Sequence, residues 1–174
     1  MCRPDWLVGL LGSSYFIGYV LTLTWLPMIA DKKGRKQVFF WGMVAQSVLY
    51  TILMFTQHFY VMLTTIFLFG ALASIRQITG FVYFLELIPK KYNTAAACVF
   101  FVIDGLTYFI VALYFWVIST HWFYVILVGY LMQLTGTSLI CLLPESPVYQ
   151  FSLNRVDDTL NTYKKIASIN KTEL

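Results

Sequence analysis

Charge is scarce in these 174 residues, with 12 basic and 8 acidic side chains making up 11% of the chain, against about a quarter in soluble domains. That scarcity excludes an ordinary hydrated globular surface. The hydrophobic share of 59%, the aromatic share of 18% and the mean hydropathy of +0.72 point to lipid as the solvent. Cysteine is equally thin. Cys2, Cys98 and Cys141 lie far apart, which excludes a disulfide framework and any metal-ligand spacing and leaves small apolar residues as their reading. His58 and His121 have no nearby acid and serine in a catalytic arrangement, and no nucleotide-binding loop occurs, so neither an enzyme nor a cofactor reading has residue support. The net charge of +4 does not describe a nucleic-acid surface, because its cations fall in short loops and a tail. A cleavable signal is not expected: the apolar stretch after Arg3 and Asp5 is too long for one, and no small-residue cleavage site closes it. The alternation of an outer-membrane barrel is missing too.

What the chain does have is long continuous apolar runs. They fall at about 7–29, 38–56, 60–88, 94–118 and 121–143, each bounded by charge, proline, asparagine or histidine, and each is long enough for the roughly 20 residues of a spanning helix. The expected fold is therefore all-α, a polytopic membrane bundle of five helices over 1–143. Beyond Pro144 the composition turns mixed, and Leu160, Tyr163 and Ile166 recur at helical spacing within 152–169. This predicts an amphipathic helix over the tail, 144–174, with Asp157 and Asp158 at its start and Lys164 and Lys165 near its end, as its dipole favours.

The distribution of cations predicts a direction. Lys32, Lys33, Arg35 and Lys36, then Lys90 and Lys91, then Arg155, Lys164, Lys165 and Lys171 all fall on one side of alternating spans, while the other side holds Arg3 and near-neutral turns. The basic side is expected to be cytoplasmic or its topological equivalent, with the N-terminus outside and the C-terminus inside. Trp6, Trp122 and Tyr124 would anchor one interface and Trp41 the other. Small residues four apart, Gly9 with Ser13, Ser14 with Gly18 and Gly70 with Ser74, mark places where helix backbones can approach closely.

The most specific motif is Asp31-Lys-Lys-Gly-Arg-Lys36, between the first two spans. So short a turn wants a glycine for unusual backbone angles, an acid to cap or pair across helix ends, and cations at the surface. It is read either as an ordinary basic loop or as a signature. Other motifs follow in order: Cys2, Asp5 and Trp6 before the first span with Phe16 and Gly18 within it, then Glu86, Pro89, Lys90, Lys91 and Tyr92, then Pro144-Glu145-Ser146-Pro147 with Asn154, Arg155 and Lys164-Lys165. Together they resemble organic cation transporter-like members of the major facilitator superfamily, with similarity to sugar porters, and they cover nearly the whole chain. Pro27, Asn93 and Val148 stand where that pattern has a glycine, a basic residue and an arginine.

The resemblance implies that the five spans correspond to helices two to six of a twelve-helix carrier, a partial N-terminal half. It also implies an inner-surface network of Asp31, Lys32, Gly34, Arg35, Lys36, Glu86, Lys90, Lys91, Glu145 and Arg155. Two readings of function follow: a small organic ion or sugar carried as part of such a transporter, or a shortened descendant serving as an accessory subunit without transport. Because a carrier moves one half against the other around a central site, the expected partners are the lipid bilayer, a complementary half or other membrane subunits, and a small organic solute. Transport by the chain alone is not expected.

Arg76 and Asp104 are the two charges deep within apolar runs, where each costs about 2.5–3.5 kcal/mol on insertion scales. Arg76 lies 14 residues before Lys90 and Asp104 13 residues after Lys91, so their depths match. They are read either as a structural ion pair or as part of a cavity. Tyr83, Gln77, Gln133 and Tyr108 add polar groups that more often bridge neighbouring helices than bind ligand. The sequon at Asn170 falls on the inner side and is expected to be unmodified.

Overall fold

The computed structural model describes residues 4–170. Cys2, Arg3, Lys171 and most of the sequon that begins at Asn170 lie outside them. The described residues are helical nearly throughout, and five helical stretches are long and apolar enough to cross a membrane: Trp6–Leu23, Arg35–Phe55, Phe59–Leu87, Lys90–Ile118 and Trp122–Leu142. Together with the apolar composition they make the chain an integral, multi-pass membrane protein.

In chain order the α-helices are α1 (Asp5–Leu23), α2 (Leu26–Lys33), α3 (Arg35–Phe55), α4 (Phe59–Ser74), α5 (Gly80–Leu87), α6 (Asn93–Leu113), α7 (Trp122–Leu142), α8 (Pro147–Ser152) and α9 (Val156–Asn170). The apolar run expected at 7–29 is interrupted. α1 ends at Leu23, and α2 starts afresh at Leu26 with Pro27 in its first turn, where a missing N–H does no harm. The segment expected as a loop from Asp31 to Lys36 is mostly helical: α2 runs to Lys33, Gly34 alone turns the chain at φ 102°, and Arg35 opens α3. Only glycine adopts that angle without strain.

The helices α4 and α5 form one span, joined by a wider π turn at Ile75–Thr79. A second π turn, Tyr114–Ile118, ends the α6 span.

The tightest packing joins α1 to α4. Ser14, Gly18, Gly70 and Ser74 are buried between them, and a Cβ placed on Gly18 would lie 2.1 Å from the carbonyl oxygen of Phe67, one on Gly70 2.0 Å from that of Tyr15. The absence of side chains lets the two backbones touch, the usual route to helix association where lipid removes the hydrophobic drive. Thr22 and Ser74 share a hydroxyl hydrogen bond of 2.9 Å across the same seam, and the Tyr19 hydroxyl donates to Gln77 Oε1 at 3.1 Å. Gly9 and Ser13, the third pair expected to make such a contact, do not: both are exposed, and space around Gly9 is open.

α3 packs against α4 and α7, with Tyr50 edge-on to Phe69 at 4.8 Å and Gln133 Nε2 donating to the Met43 carbonyl at 3.3 Å. α6 leans on α5 mainly through Phe81 and Phe84 against Phe100. The tail is bonded to the bundle and to itself. Ser146 caps α8, accepting from the Tyr149 N–H at 3.2 Å, and binds back to α5. In α9 Thr159 and Thr162 are buried, Leu160 is 52% exposed, and Tyr163 and Ile166 line a cleft with Leu85, Leu87 and Val148. The Thr162 hydroxyl donates to Gln150 Oε1 at 2.8 Å and ties α9 to α8.

Candidate functional site: a helix-end network and a central cavity

Arg35, the first residue of α3, is held where Gly34 turns the chain and is largely buried. Its guanidinium pairs with Asp31 Oδ1 at 3.1 Å, one helical turn back, and with Glu86 near the end of α5. Glu86 in turn accepts the Ser146 hydroxyl at 2.6 Å. The Ser146 N–H donates to Glu145 Oε1 at 3.1 Å, and the same oxygen accepts the Lys36 N–H at 2.8 Å. The chain of bonds therefore closes on α3, joining α2, α3, α5 and α8. Lys36 Nζ donates to the carbonyls of Cys141 and Leu143 at the end of α7, a favourable place for a cation. The Tyr149 hydroxyl donates to the Lys32 carbonyl at 3.1 Å, and the Tyr83 hydroxyl to the Pro144 carbonyl. Gly34 is enclosed by this cluster, with Glu145 Oε2 and the Tyr149 ring 3.1 and 3.2 Å from where a Cβ would stand.

Asp31, Arg35, Lys36, Glu86 and Glu145 are brought together; Lys32 contributes a carbonyl and Gly34 the turn. Three expected members are not in it. Pro89 and a short 3-10 turn, Lys90–Tyr92, carry Lys90 and Lys91 past the helix end, and Lys91 Nζ lies over the Tyr92 ring at 5.7 Å instead. Arg155 sits in the exposed turn before α9, and its carbonyl accepts from Thr159. Ser146, Tyr149 and Tyr83 were missed as members. The signal for Ser146 was a serine followed directly by proline, a cap and first-turn pair.

Glu145 satisfies one of the first N–H groups of α3, that of Lys36, with a carboxylate, which also suits the positive end of the helix dipole. Glu145→Ala is expected to lower stability by about 1–2 kcal/mol, whereas Glu145→Gln, which keeps an acceptor, is expected to lose less than half of that. Thermal unfolding of the detergent-solubilised variants measures both.

A cavity of about 550 Å³ opens between α3, the α4–α5 span, α6 and α7, within the range of small-molecule sites. Its wall is largely apolar and aromatic, including Met43, Phe69, Phe84 and Phe100, with Arg76, Gln46, Tyr50 and Gln133 as polar members. The π turn puts Arg76 into this wall; such turns frequently occur at functional positions. Gln46 is 2% exposed, and its Oε1 has no hydrogen-bond partner among the described residues.

Arg76 and Asp104 do not form the expected pair. Neither makes an ion pair among the described residues, and Asp104 lies outside the cavity wall although Phe100 and Thr107 of the same helix belong to it. Matching depth along two helix axes leaves their rotation free. Gln77, Gln133 and Tyr83 bridge helices, as expected of polar groups in a packed bundle, and Tyr108 is 67% exposed. Gln46 went unnoticed because nothing in an apolar run distinguishes a buried glutamine from a lipid-side one.

No family model matches the chain. Among curated proteins it is 28% identical over 172 residues to a Danio rerio protein bearing the transporter name SVOPL, covering 95% of this chain and 33% of that one. It is 27% identical over 177 residues to solute carrier family 22 member 16 of Homo sapiens, covering 98% and 30%. It is 26% identical over 180 residues to organic cation/carnitine transporter 2 of Mus musculus, again covering 98% and 30%. The chain spans about a third of the length of these relatives. Over nearly all of its own length it is similar to organic cation transporter-like solute carriers of the major facilitator type, as the ordered motifs from Asp31 to Pro147 indicate.

Proposed function

We propose that this chain contributes five spans and a solute cavity to a major facilitator-type carrier that moves a small organic solute across a membrane. The observation that carries the reading is the 550 Å³ cavity with its buried, unpartnered Gln46 carbonyl, because an unsatisfied polar group in a lipid-embedded bundle is costly unless something polar meets it. The helix-end network is the device that holds α2, α3, α5 and α8 as one body during movement. Uptake of labelled organic cations, organic anions and sugars into liposomes tests the reading, using the 174-residue chain with any membrane protein that copurifies in fixed ratio. Saturable uptake of one class, weakened at least about tenfold by Gln46→Leu, is the expected result; a folded preparation inert toward all three overturns it.

A second reading, an accessory subunit that keeps the fold without transport, is favoured by α6. None of its residues is buried, and Phe101, Val102, Leu106 and Phe109 face outward, a surface suited to lipid or to another subunit's helix.

The proposal includes a direction. With the Arg35, Lys90 and Lys164 ends inside, cysteines introduced at Lys33 and Ser119 are expected to react with an impermeant maleimide from opposite faces of sealed vesicles, Ser119 from the outer one. Labelling of both from one face rules the direction out.

A further inference from the structure

The cavity's charge is one-sided. Among the described residues Arg76, itself exposed, is the only aspartate, glutamate, lysine or arginine in its wall, and its guanidinium makes no ion pair or hydrogen bond with them. The other acids are occupied elsewhere or outside the wall: Asp31 and Glu86 are bound to Arg35, Glu145 accepts the N–H of Lys36 at the start of α3 and that of Ser146, and Asp104 is outside the wall and beyond ion-pair distance. A guanidinium in a largely apolar wall keeps its charge and demands a compensating anion more strongly than it would in water. Gln46, buried beside the same space with a free Oε1, supplies an acceptor for an N–H or O–H, and Phe69, Phe84 and Phe100 supply apolar surface.

Building on the carrier reading, we propose that the solute taken into this cavity is an organic anion: a carboxylate or similar acid held by Arg76, carrying an N–H or O–H donor for Gln46 and an apolar or aromatic body. Arg76 binds as a bidentate fork, so the anionic group is planar and two-pronged in preference to a halide. Gln46 adds selectivity, since a solute lacking the donor leaves its carbonyl unmet.

The test is a charge series on one skeleton: 3-phenyllactate, its primary amide, and the corresponding amine with the carboxyl replaced by an aminomethyl group. Binding is measured by calorimetry on the 174-residue chain in lipid nanodiscs. The lactate is expected to bind at least about tenfold tighter than either analogue. Arg76→Gln is expected to weaken it about tenfold or more, Arg76→Lys less, and Asp104→Asn not at all, with helical circular dichroism unchanged. Should Arg76→Gln not fold, the charge series on the unsubstituted chain decides alone. Equal or tighter binding of the amine or amide overturns the anion assignment and leaves the carrier reading intact. So does the absence of binding by all three alongside positive uptake in liposomes; absence of both binding and uptake removes the two together.

Discussion

Arg35→Gln is expected to destabilise the chain by about 3–5 kcal/mol, the range for breaking a buried ion pair from one side. The reason lies with Glu86 rather than with the lost cation. Its side chain is 13% exposed and is held between the Arg35 guanidinium and the Ser146 hydroxyl, so removal of the arginine leaves a carboxylate with one neutral donor at a helix end. Adding Glu86→Gln to Arg35→Gln is expected to recover part of the loss, because two neutral amides need no counter-charge. Asp31→Asn is the contrasting case. That carboxylate is 63% exposed and one turn away from its partner, so water already screens the pair, and a loss of about 0–1 kcal/mol is expected. Thermal or denaturant unfolding of the three variants in one detergent reads the order. Equal losses for Asp31→Asn and Arg35→Gln would refute the claim that Glu86 anchors the network.

Much of this network is legible in the sequence. Acid, glycine and cations packed into six residues between two spans specify a tight charged turn, and Glu86 and Glu145 stand at helix ends where cations gather. Reading stopped where backbone direction decides. Lys90 and Lys91 carry the right charge, yet they fall in the 3-10 turn that follows Pro89, beyond the helix end, and make no ion pair with Glu86, Glu145 or Asp31. The five spans were legible for a similar reason: hydropathy averaged over a bilayer's thickness does not depend on local detail. Local detail is what such averaging discards. The break at Thr24 and Trp25, between α1 and α2, and the π turn at Ile75–Thr79 leave an apolar run looking continuous.

The π turn bears directly on the cavity. A depth argument treats Arg76 and Asp104 as facing because it fixes height and leaves azimuth free. A turn with i to i+5 bonding accommodates an extra residue and so changes the azimuth of everything before it relative to everything after it. Arg76 lies within that turn and enters the cavity wall, while Asp104 stays out of it. Gln46 was illegible for another reason. Its neighbours Met43, Ser47 and Leu49 are buried as well, and a helix with apolar residues on all sides shows its inner face only once α4 and α7 have packed against it.

The α1–α4 seam gives the second large effect. Gly70→Ala is expected to lower stability by about 1–3 kcal/mol, as overpacking does in a close-packed interior, even though alanine is the better helix former by up to about 1 kcal/mol. The new methyl would stand 2.0 Å from the Tyr15 carbonyl oxygen and 2.8 Å from its carbon. Those are backbone atoms, with no rotamer to give way, so the helices must separate or rotate. Separation then stretches the Thr22–Ser74 hydroxyl bond and the Thr22 bond to the Ala71 carbonyl, 2.9 and 3.1 Å in the intact seam. Gly18→Ala meets the Phe67 carbonyl at 2.1 Å from the other side of the crossing and is expected to fall in the same range. Gly9→Ala and Gly12→Ala, on the same helix but with nothing within 4 Å, are expected to be neutral or stabilising by up to about 1 kcal/mol. The sign of the change therefore separates packing from propensity within a single helix. If all four alanines proved stabilising in unfolding measurements on the detergent-solubilised chain, the close crossing of α1 and α4 would be wrong, and with it the Tyr19–Gln77 bond and the place of the neighbouring Arg76 in the cavity wall.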